Sequence, residues 1–537
     1  MPAPSRQFEA ALRILETLRA EGHLAYLAGG CVRDLLLGRT PLDYDVATSA
    51  TPDIVLNLFP RTFAVGAHFG VVLVADETLD ETPPLEDAPD SAPRYSVTEV
   101  ATFRCDGAYS DGRHPDAVRY TQSPEQDVQR RDFTINGLLL DPTKLLAAEP
   151  SENLDGPPEN LDDPPENLDG PPENLDDPPE NLDDPPQTRR GTTFSRAETA
   201  QKTTRALAPE PSLDPQLLRS AVLDHVGGLA DLDTGVIRAI GDPHRRFQED
   251  QLRLLRAVRF AARFGYTIET ATFAAIRHLA PRIHAVSRER VRDEFSKMLT
   301  EGRARRAFEL LDETDLLVQV LPEISNMKGV QQPPQFHPEG DVFIHTMLLL
   351  QQLPPRCPRT LAWGALLHDV GKPPTFRVAP DRIRFDGHVE VGVAMAAEIL
   401  RRFRFSNEDT RQILSLVENH MRFADAPRMK ASTLKRFFRL PCFEEHLELH
   451  RMDCLAAHAN LEIYNNVNER YHSIAEEEFR PRPLLTGDDL IAAGYAPGPQ
   501  FKEMLQAAED AQLEGTIATL EEALALIRER FAGAGPA

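Results

Sequence analysis

At 537 residues the chain is long enough for several cores, since one domain takes on the order of 100 to 200 residues. It has no run of about 18 consecutive apolar residues, which excludes a membrane span, and its five scattered cysteines show no C-x-x-C spacing, which excludes a zinc ribbon or redox pair and fits a reducing compartment. The formal charge of −25 argues against general phosphate binding, yet thirteen acidic residues fall in 151–186, where there is no Lys or Arg, so about half of that excess sits in one segment.

Residues 1–20 read as a charged amphipathic helix without the apolar centre of a signal peptide, so a cytoplasmic location is expected. Gly22 stops that helix, and Leu24 to Ala28 read as a short buried strand entering Gly29-Gly30. Cys31 to Leu37 then have helical apolar spacing, ended by Gly38. Val71 to Val74 and Val97 to Phe103 read as further strands, which makes this part a small α/β domain.

A strand that turns through two glycines into a helix presents backbone N–H groups where an anion is favoured. Arg33, one turn into the helix, is placed to reach the same phosphates. Asp43 and Asp45 alternate with Tyr44, so in extended chain both carboxylates share one face. Such a pair calls for a hard counter-ion, Mg²⁺, and two such ions can activate a hydroxyl and stabilise departing pyrophosphate. Alone, most D-x-D pairs are solvated loop residues. Joined to Gly30 thirteen residues upstream, with a helix and Arg33 between, the pattern is far more specific. Glu99 reads first as an exposed strand residue, with a third acidic group at the site as the alternative, and Arg130-Arg131 taken alone is a surface pair.

Residues 152–186 are five copies of E-N-L-D-(G/D)-P-P. Two prolines and one apolar residue per unit neither continue a helix nor bury a core, so 146–213 are expected to be a disordered insertion.

From Gln248 onward the spacing is helical. Glu249-Asp250 are expected to open a helix in which Asp250, Arg253, Arg256 and Arg259 share a stripe, while Leu252, Leu255, Val258 and Ala262 take another face. Guanidinium and carboxylate groups offer the fixed donors and acceptors that reading a base edge requires; the plainer alternative is an amphipathic helix with solvated arginines. A second basic stripe, Arg428, Lys430, Lys435, Arg436 and Arg439, leaves room for RNA despite the acidic total. His345, His368-Asp369, His388, His420 and Asp453 follow in the helical half. Any one of them suits an ordinary role, but the adjacent pair in LLHDVGK directly after an apolar face is costly unless something binds it.

The segment G-G-x-V-R-D-x-L-L-G-R-x-P-x-D-x-D resembles the nucleotidyltransferase signature of class II CCA-adding enzymes and bacterial poly(A) polymerases, within the DNA polymerase beta superfamily. Arg130-Arg131-Asp132 resembles the family's ribose-binding motif, which implies a nucleotide contact for Arg131. RCDGAYSDGRHPD, 104–116, resembles its flexible loop, implied in adding the terminal A. The run E-D-x-x-R-x-x-R-x-x-R matches its base-recognition helix, implying that Asp250 and Arg253 select the base while Arg256 and Arg259 help hold the nucleotide, and SRERVRDEF from Ser287 resembles the motif that steadies the neck. The order H…HD…H…H…D resembles the HD phosphohydrolase domain, and FHPEGDVFIHT the version fused to bacterial CCA-adding enzymes. That likeness implies His345, His368, Asp369 and Asp453 as ligands of a divalent metal of unknown identity, His388 and His420 completing a second position, and hydrolysis of phosphoesters, including 2′,3′-cyclic phosphates.

The expected fold is α+β. A nucleotidyltransferase head (1–145) is followed by the insertion (146–213), a nucleobase-binding neck (214–300), a helical body (301–340), an HD domain (341–460) and a C-terminal helical region (461–537). The resemblance implies catalysis by Asp43 and Asp45, nucleotide binding by Gly29, Gly30, Arg33, Arg131, Asp250, Arg253, Arg256 and Arg259, tRNA with CTP and ATP as partners, and addition of CCA. Two alternatives stand beside it: addition of A alone or of poly(A), against which RTFAVGAHFGVVLV (61–74) speaks by its likeness to the CCA-adding group, and an RNA-binding HD phosphohydrolase with an inert head.

Overall fold

The computed structural model of the protein describes residues 6–63, 70–76, 96–107, 109, 115–146, 214–335 and 337–532. Most of the insertion expected at 146–213, and parts of the segments 61–74 and 104–116, lie outside the described residues.

The head is built on one seven-stranded sheet. In chain order its strands are β1 (Ala25–Ala28), β2 (Asp45–Thr48), β3 (Thr62–Phe63), β4 (Val71–Asp76) and β5 (Ser96–Thr102); after a separate ribbon of β6 (Arg104–Asp106) and β7 (Val118–Tyr120), β8 (Leu138–Leu140) and β9 (Val222–Asp224) complete it. Their spatial order is β3-β4-β5-β2-β1-β8-β9. β2 and β5 run parallel and the remaining neighbours antiparallel. The first helix, Arg6–Ala20, buries Ala10, Ala11, Ile14, Leu15 and Leu18, a three- and four-residue spacing that gives it one apolar stripe over the sheet.

Register sets the chemistry at one end of this sheet. Ala28 pairs with Asp45 across β1 and β2, so the Gly29-Gly30 turn leaves the sheet beside the two aspartates. Val46 pairs with Val100, which puts Glu99 next to Asp45 on the adjoining strand. At the opposite edge β8 pairs with β9 from Leu140↔Val222, and the Asp141 N–H donates to the Ala221 carbonyl at 3.0 Å. The two sides of the repeat-bearing segment are therefore held together by ordinary strand pairing. A connection whose ends are already joined can lengthen at small entropic cost.

Beyond β9 the chain is mostly helical, interrupted by a parallel pair, Val236–Ile237 with Thr267–Ile268, and by the hairpin Arg377–Val378 with Ile383–Arg384. These are short departures from the all-helical expectation. A single apolar core runs from Phe133 and the helix Leu252–Phe264 through Trp363 to Ala456, so neck, body and histidine-bearing helices share one packed interior. Two smaller cores follow, one around Phe423, Phe437 and Phe443 and one around Leu490, Met504 and Ile527. Among the described residues no helix is long and apolar enough to cross a membrane.

Candidate active site

Between sheet and neck lies a polar cleft of about 590 Å³. Gly29, Gly30, Asp43, Asp45 and Glu99 line its head side. Tyr44, between the aspartates, is buried and packs on Phe8 with ring centres 5.3 Å apart, which is why its two neighbours face the opposite way, into the cleft. Burial, then Glu99 and Asp43, push the Asp45 carboxyl up to about 7, and burial and Asp43 raise Glu99 as well. Three carboxylates at the end of two adjacent strands, with Arg131 opposing the rise of Asp45 and Glu99, make an oxygen-only donor set that fits a hard divalent cation. Glu99 is exposed, as first read, and it also lines the cleft: the β2/β5 register, invisible in sequence, brings it there.

The glycine turn needs its glycines. Gly29 has φ of 73°, and a Cβ there would stand 3.0 Å from Arg131 Nη1. Only a residue without a side chain allows that approach. Arg33 lines the same cleft, but its guanidinium is bonded to Asp34 at 2.7 Å and to Asn136, and it lies 4.7 Å from the Phe264 ring. It braces the turn against the neck. Arg131 pairs with Asp127 at 3.2 Å and faces the cleft beside Gly29.

The neck departs from the expected single stripe. Asp250 lies between two helices, Pro243–Glu249 and Leu252–Phe264, in extended conformation, and its carboxylate accepts the Leu252 N–H at 3.1 Å. It stands just before the second helix rather than lying on it. Asp250, Arg253 and Arg256 line the cleft. Arg253 is tied to Glu249 at 3.0 Å and to the Arg130 carbonyl at 3.2 Å, and Arg256 bridges to Asp132 at 2.6 Å. Burial works against the Asp132 charge, but Arg256, Asn136 and Arg253 outweigh it and hold the carboxyl below its usual range, so this ion pair joins head to neck.

Arg259, expected beside them, is turned away. It is 5% exposed and pairs with buried Glu294 at 2.7 Å on the helix Arg288–Thr300. The residues at 250, 253, 256 and 259 do not form one face because the helix begins only at Leu252 and Arg259 falls on its packed side. Arg290, from the SRERVRDEF segment, holds Asp250 at 3.1 Å. Asp132, Asn136, Arg290 and Glu294 were not singled out from the sequence; the signals available were the two arginine-rich motifs that contain or adjoin them. The second basic stripe is also internally paired in part, with Arg436 on Glu509 at 2.8 Å and Arg439 on the same residue.

In the helical half, five helices bring the expected histidines and aspartates together. His345 Nε2 lies 3.0 Å from Asp453 and 3.9 Å from Asp369, His368 Nε2 is 3.2 Å from Asp369, and the Nε2 atoms of His388 and His420 stand 4.0 and 3.8 Å from the other Asp369 oxygen. These atoms fall into two groups, His345 with His368 and Asp453, and Asp369 with His388 and His420. Every Nδ1 is occupied: His368, His388 and His420 bond the carbonyls of Ala365, Phe385 and Val417, and His345 bonds Glu339. A carbonyl only accepts, so Nδ1 carries the proton and Nε2 the lone pair. All four Nε2 atoms are buried without a hydrogen-bond partner. Burial alone would lower His345, but Asp453, Glu339 and Asp369 outweigh it and push it up to about 9, so at this one histidine a metal takes the place of an Nε2 proton shared with Asp453. Converging lone pairs in so electronegative a pocket fit divalent metal. Glu339, and Lys372, whose Nζ is 2.7 Å from Asp369, were not anticipated from sequence.

Residues 25–149 match the poly A polymerase head domain, 265–328 the "probable RNA and SrmB-binding site of polymerase A", and 342–457 the HD domain; the chain carries these three domains in that order. It is 30% identical over 324 residues to the CCA-adding enzyme of Anoxybacillus flavithermus, covering 60% of this chain and 58% of that one, and 32% identical over 305 residues to that of Leuconostoc mesenteroides, covering 57% and 53%. The chain thus spans just over half the length of these relatives. With the CCA-adding enzyme of Geobacillus sp. strain WCH70 it shares 26% identity across 95% of this chain and 94% of that one. Its fold is that of the Bacillus stearothermophilus CCA-adding enzyme solved with CTP, at a TM-score of 0.63 and 23% identity, covering 98% and 99% of the two chains. It also matches the Thermotoga maritima CCA-adding enzyme complexed with tRNA, at 0.51 and 16%, covering 97% and 96%.

Proposed function

We propose that this chain, built from a poly A polymerase head, an RNA-binding segment and an HD domain, adds CCA to the 3′ end of tRNA from CTP and ATP and releases pyrophosphate. The observation that carries the proposal is the shared cleft: the carboxylates of Asp43, Asp45 and Glu99 face a glycine turn across from Asp250 and Arg253. Every relative named above, and both solved structures, are CCA-adding enzymes.

In this proposal the triphosphate lies along the Gly29-Gly30 turn, with Arg131 over its sugar end. Asp43 and Asp45, joined by Glu99, would hold Mg²⁺, which would supply the positive charge that offsets the triphosphate and the departing pyrophosphate. The 3′-hydroxyl of the tRNA gives up its proton to solvent, and its oxygen bonds to the α-phosphorus as the bond from that phosphorus to the β-bridging oxygen breaks and pyrophosphate leaves. Asp250 and Arg253 offer an acceptor and donors to the base edge, so protein side chains take the place of a template strand. Arg290 and Glu249 keep those two groups in register. Arg256 fixes the head against the neck through Asp132, and Arg259 serves the neck's interior.

The HD site is proposed to hold one or two divalent metals on His345, His368, Asp369 and Asp453, with His388 and His420 at the second position, and to hydrolyse phosphoesters, 2′,3′-cyclic phosphates included. A metal there supplies Lewis-acid and water-activating chemistry. The five free cysteines accord with the proposed cytoplasmic setting.

The deciding assay offers tRNA lacking its CCA end with CTP alone, ATP alone, or both. CCA addition requires C incorporation with CTP and completion only with both. Labelling by ATP alone would reduce the activity to A addition, and no labelling at all would leave the hydrolase with an inert head.

A further inference from the structure

The four histidines of the HD site are not held alike. His368 and His420 stand at the C-terminal ends of the helices Arg359–Leu367 and Asn407–Asn419, and His388 follows the turn that opens the helix His388–Arg402. Each takes the carbonyl three residues before it as the partner of its Nδ1, at 2.7 to 2.9 Å. Helix ends leave carbonyls and turns free for such use. His345 has no such recourse. It sits inside the helix Val342–Gln351, where the carbonyl three residues back, that of Val342, already accepts the Thr346 hydroxyl at 2.8 Å.

An outside acceptor reaches it instead. Gln331 and Asp341 form an antiparallel bridge, the Val342 N–H donates to the Val330 carbonyl at 3.0 Å, and the Gly329 N–H donates to the Asp341 carboxylate at 2.6 Å, so both ends of the loop between them are clamped. Gly340 turns with φ of 125°, a conformation other residues resist, and the preceding Glu339 is laid against His345. Glu339 Oε1 is 2.7 Å from His345 Nδ1 and 2.8 Å from His337 Nδ1, and the Glu339 side chain is 6% exposed.

We propose that Glu339 is a positioning residue for the HD metal site, orienting His345 so that its Nε2 faces the space shared with Asp453 and Asp369, with His337 bonded to the same carboxylate oxygen. This rests on the metal-binding reading of the HD site. A carboxylate accepts only, so it fixes the tautomer as the three carbonyls do. It also makes the imidazole a stronger donor than a carbonyl partner does, which marks His345 as the tightest of the four ligands.

The test is titration of the full chain with Ni²⁺ in excess Mg²⁺, which fills the oxygen-only cleft of the head while Ni²⁺ prefers imidazole nitrogen. Glu339→Ala is expected to weaken Ni²⁺ binding about 10- to 100-fold with the number of bound ions unchanged. Glu339→Gln, which keeps the shape and an accepting oxygen, is expected to recover part of that loss, and both variants to retain nucleotide transfer and the wild-type unfolding temperature. Wild-type affinity in both variants overturns the proposal. So does the loss of one ion with the remaining affinity intact, since Glu339 would then be a ligand itself. A wild-type chain that takes up no Ni²⁺ on these histidines overturns the metal reading and the proposal with it.

Discussion

Removing the Arg290 guanidinium tests whether Asp250 reads a base because it is held in place. Arg290 meets the Asp250 carboxylate through two nitrogens, at 3.1 and 3.4 Å, with side chains 26% and 17% exposed. The remaining support is one backbone N–H at 3.1 Å. A hydrogen bond to a charged group contributes roughly 1.5 to 3 kcal/mol, and partial exposure screens it, so a loss of about 1 to 2 kcal/mol is expected for Arg290→Ala. At about 1.4 kcal/mol per tenfold, this lowers kcat/KM for the correct nucleotide about 5- to 30-fold. A carboxylate free to swing also discriminates less, so UTP and GTP should be incorporated measurably more often. The assay is single-nucleotide addition to tRNA with each of the four triphosphates in turn, compared with Arg290→Lys, which retains charge but not the two-pronged geometry. Wild-type discrimination in Arg290→Ala, whatever its rate, would refute the reasoning, because Asp250 would then need no holding.

Asp43→Ala is expected to cut transfer by at least about a thousandfold, roughly 4 kcal/mol in the barrier, while leaving HD-site hydrolysis untouched; transfer that survives the change rules out the assigned cleft. Arg259→Met leaves buried Glu294 without its partner and should cost about 3 to 5 kcal/mol of neck stability, read as earlier thermal unfolding, with the KM for CTP unchanged in the protein that remains folded. A raised KM would put Arg259 at the nucleotide after all. The Asp45 carboxyl, pushed up to about 7, must lose a proton before it binds a cation. The Mg²⁺ concentration for half-maximal transfer should therefore fall as pH rises toward about 7 and then level, and with Mg²⁺ removed this group's contribution to stability, present at low pH, should be lost as pH climbs through the same range. A Mg²⁺ requirement independent of pH below about 7 would contradict it. Deleting the repeats at 152–186 should leave transfer within about twofold, since β8 and β9 already join the flanking chain; a large loss would give the repeats a role of their own.

The local patterns were legible without coordinates. Alternation around Tyr44 put Asp43 and Asp45 on one face, two glycines after an apolar strand marked the turn, and the order of histidines marked the second site, because each depends only on neighbours along the chain. The strand at Val71 followed from a continuous apolar run and that at Val97 from period-two patterning, and they form as β4 and β5. What depended on pairing between distant segments was not legible. Glu99 joins the aspartates only through the parallel register of β2 and β5. Asp250 leaves the expected stripe because the helix starts only at Leu252, and Arg259 leaves the cleft because Glu294, thirty-five residues on, meets it across a packed interface. Sequence spacing says which residues can share a face; only the tertiary structure decides whether that face meets substrate or core, since burial is set by what packs against it.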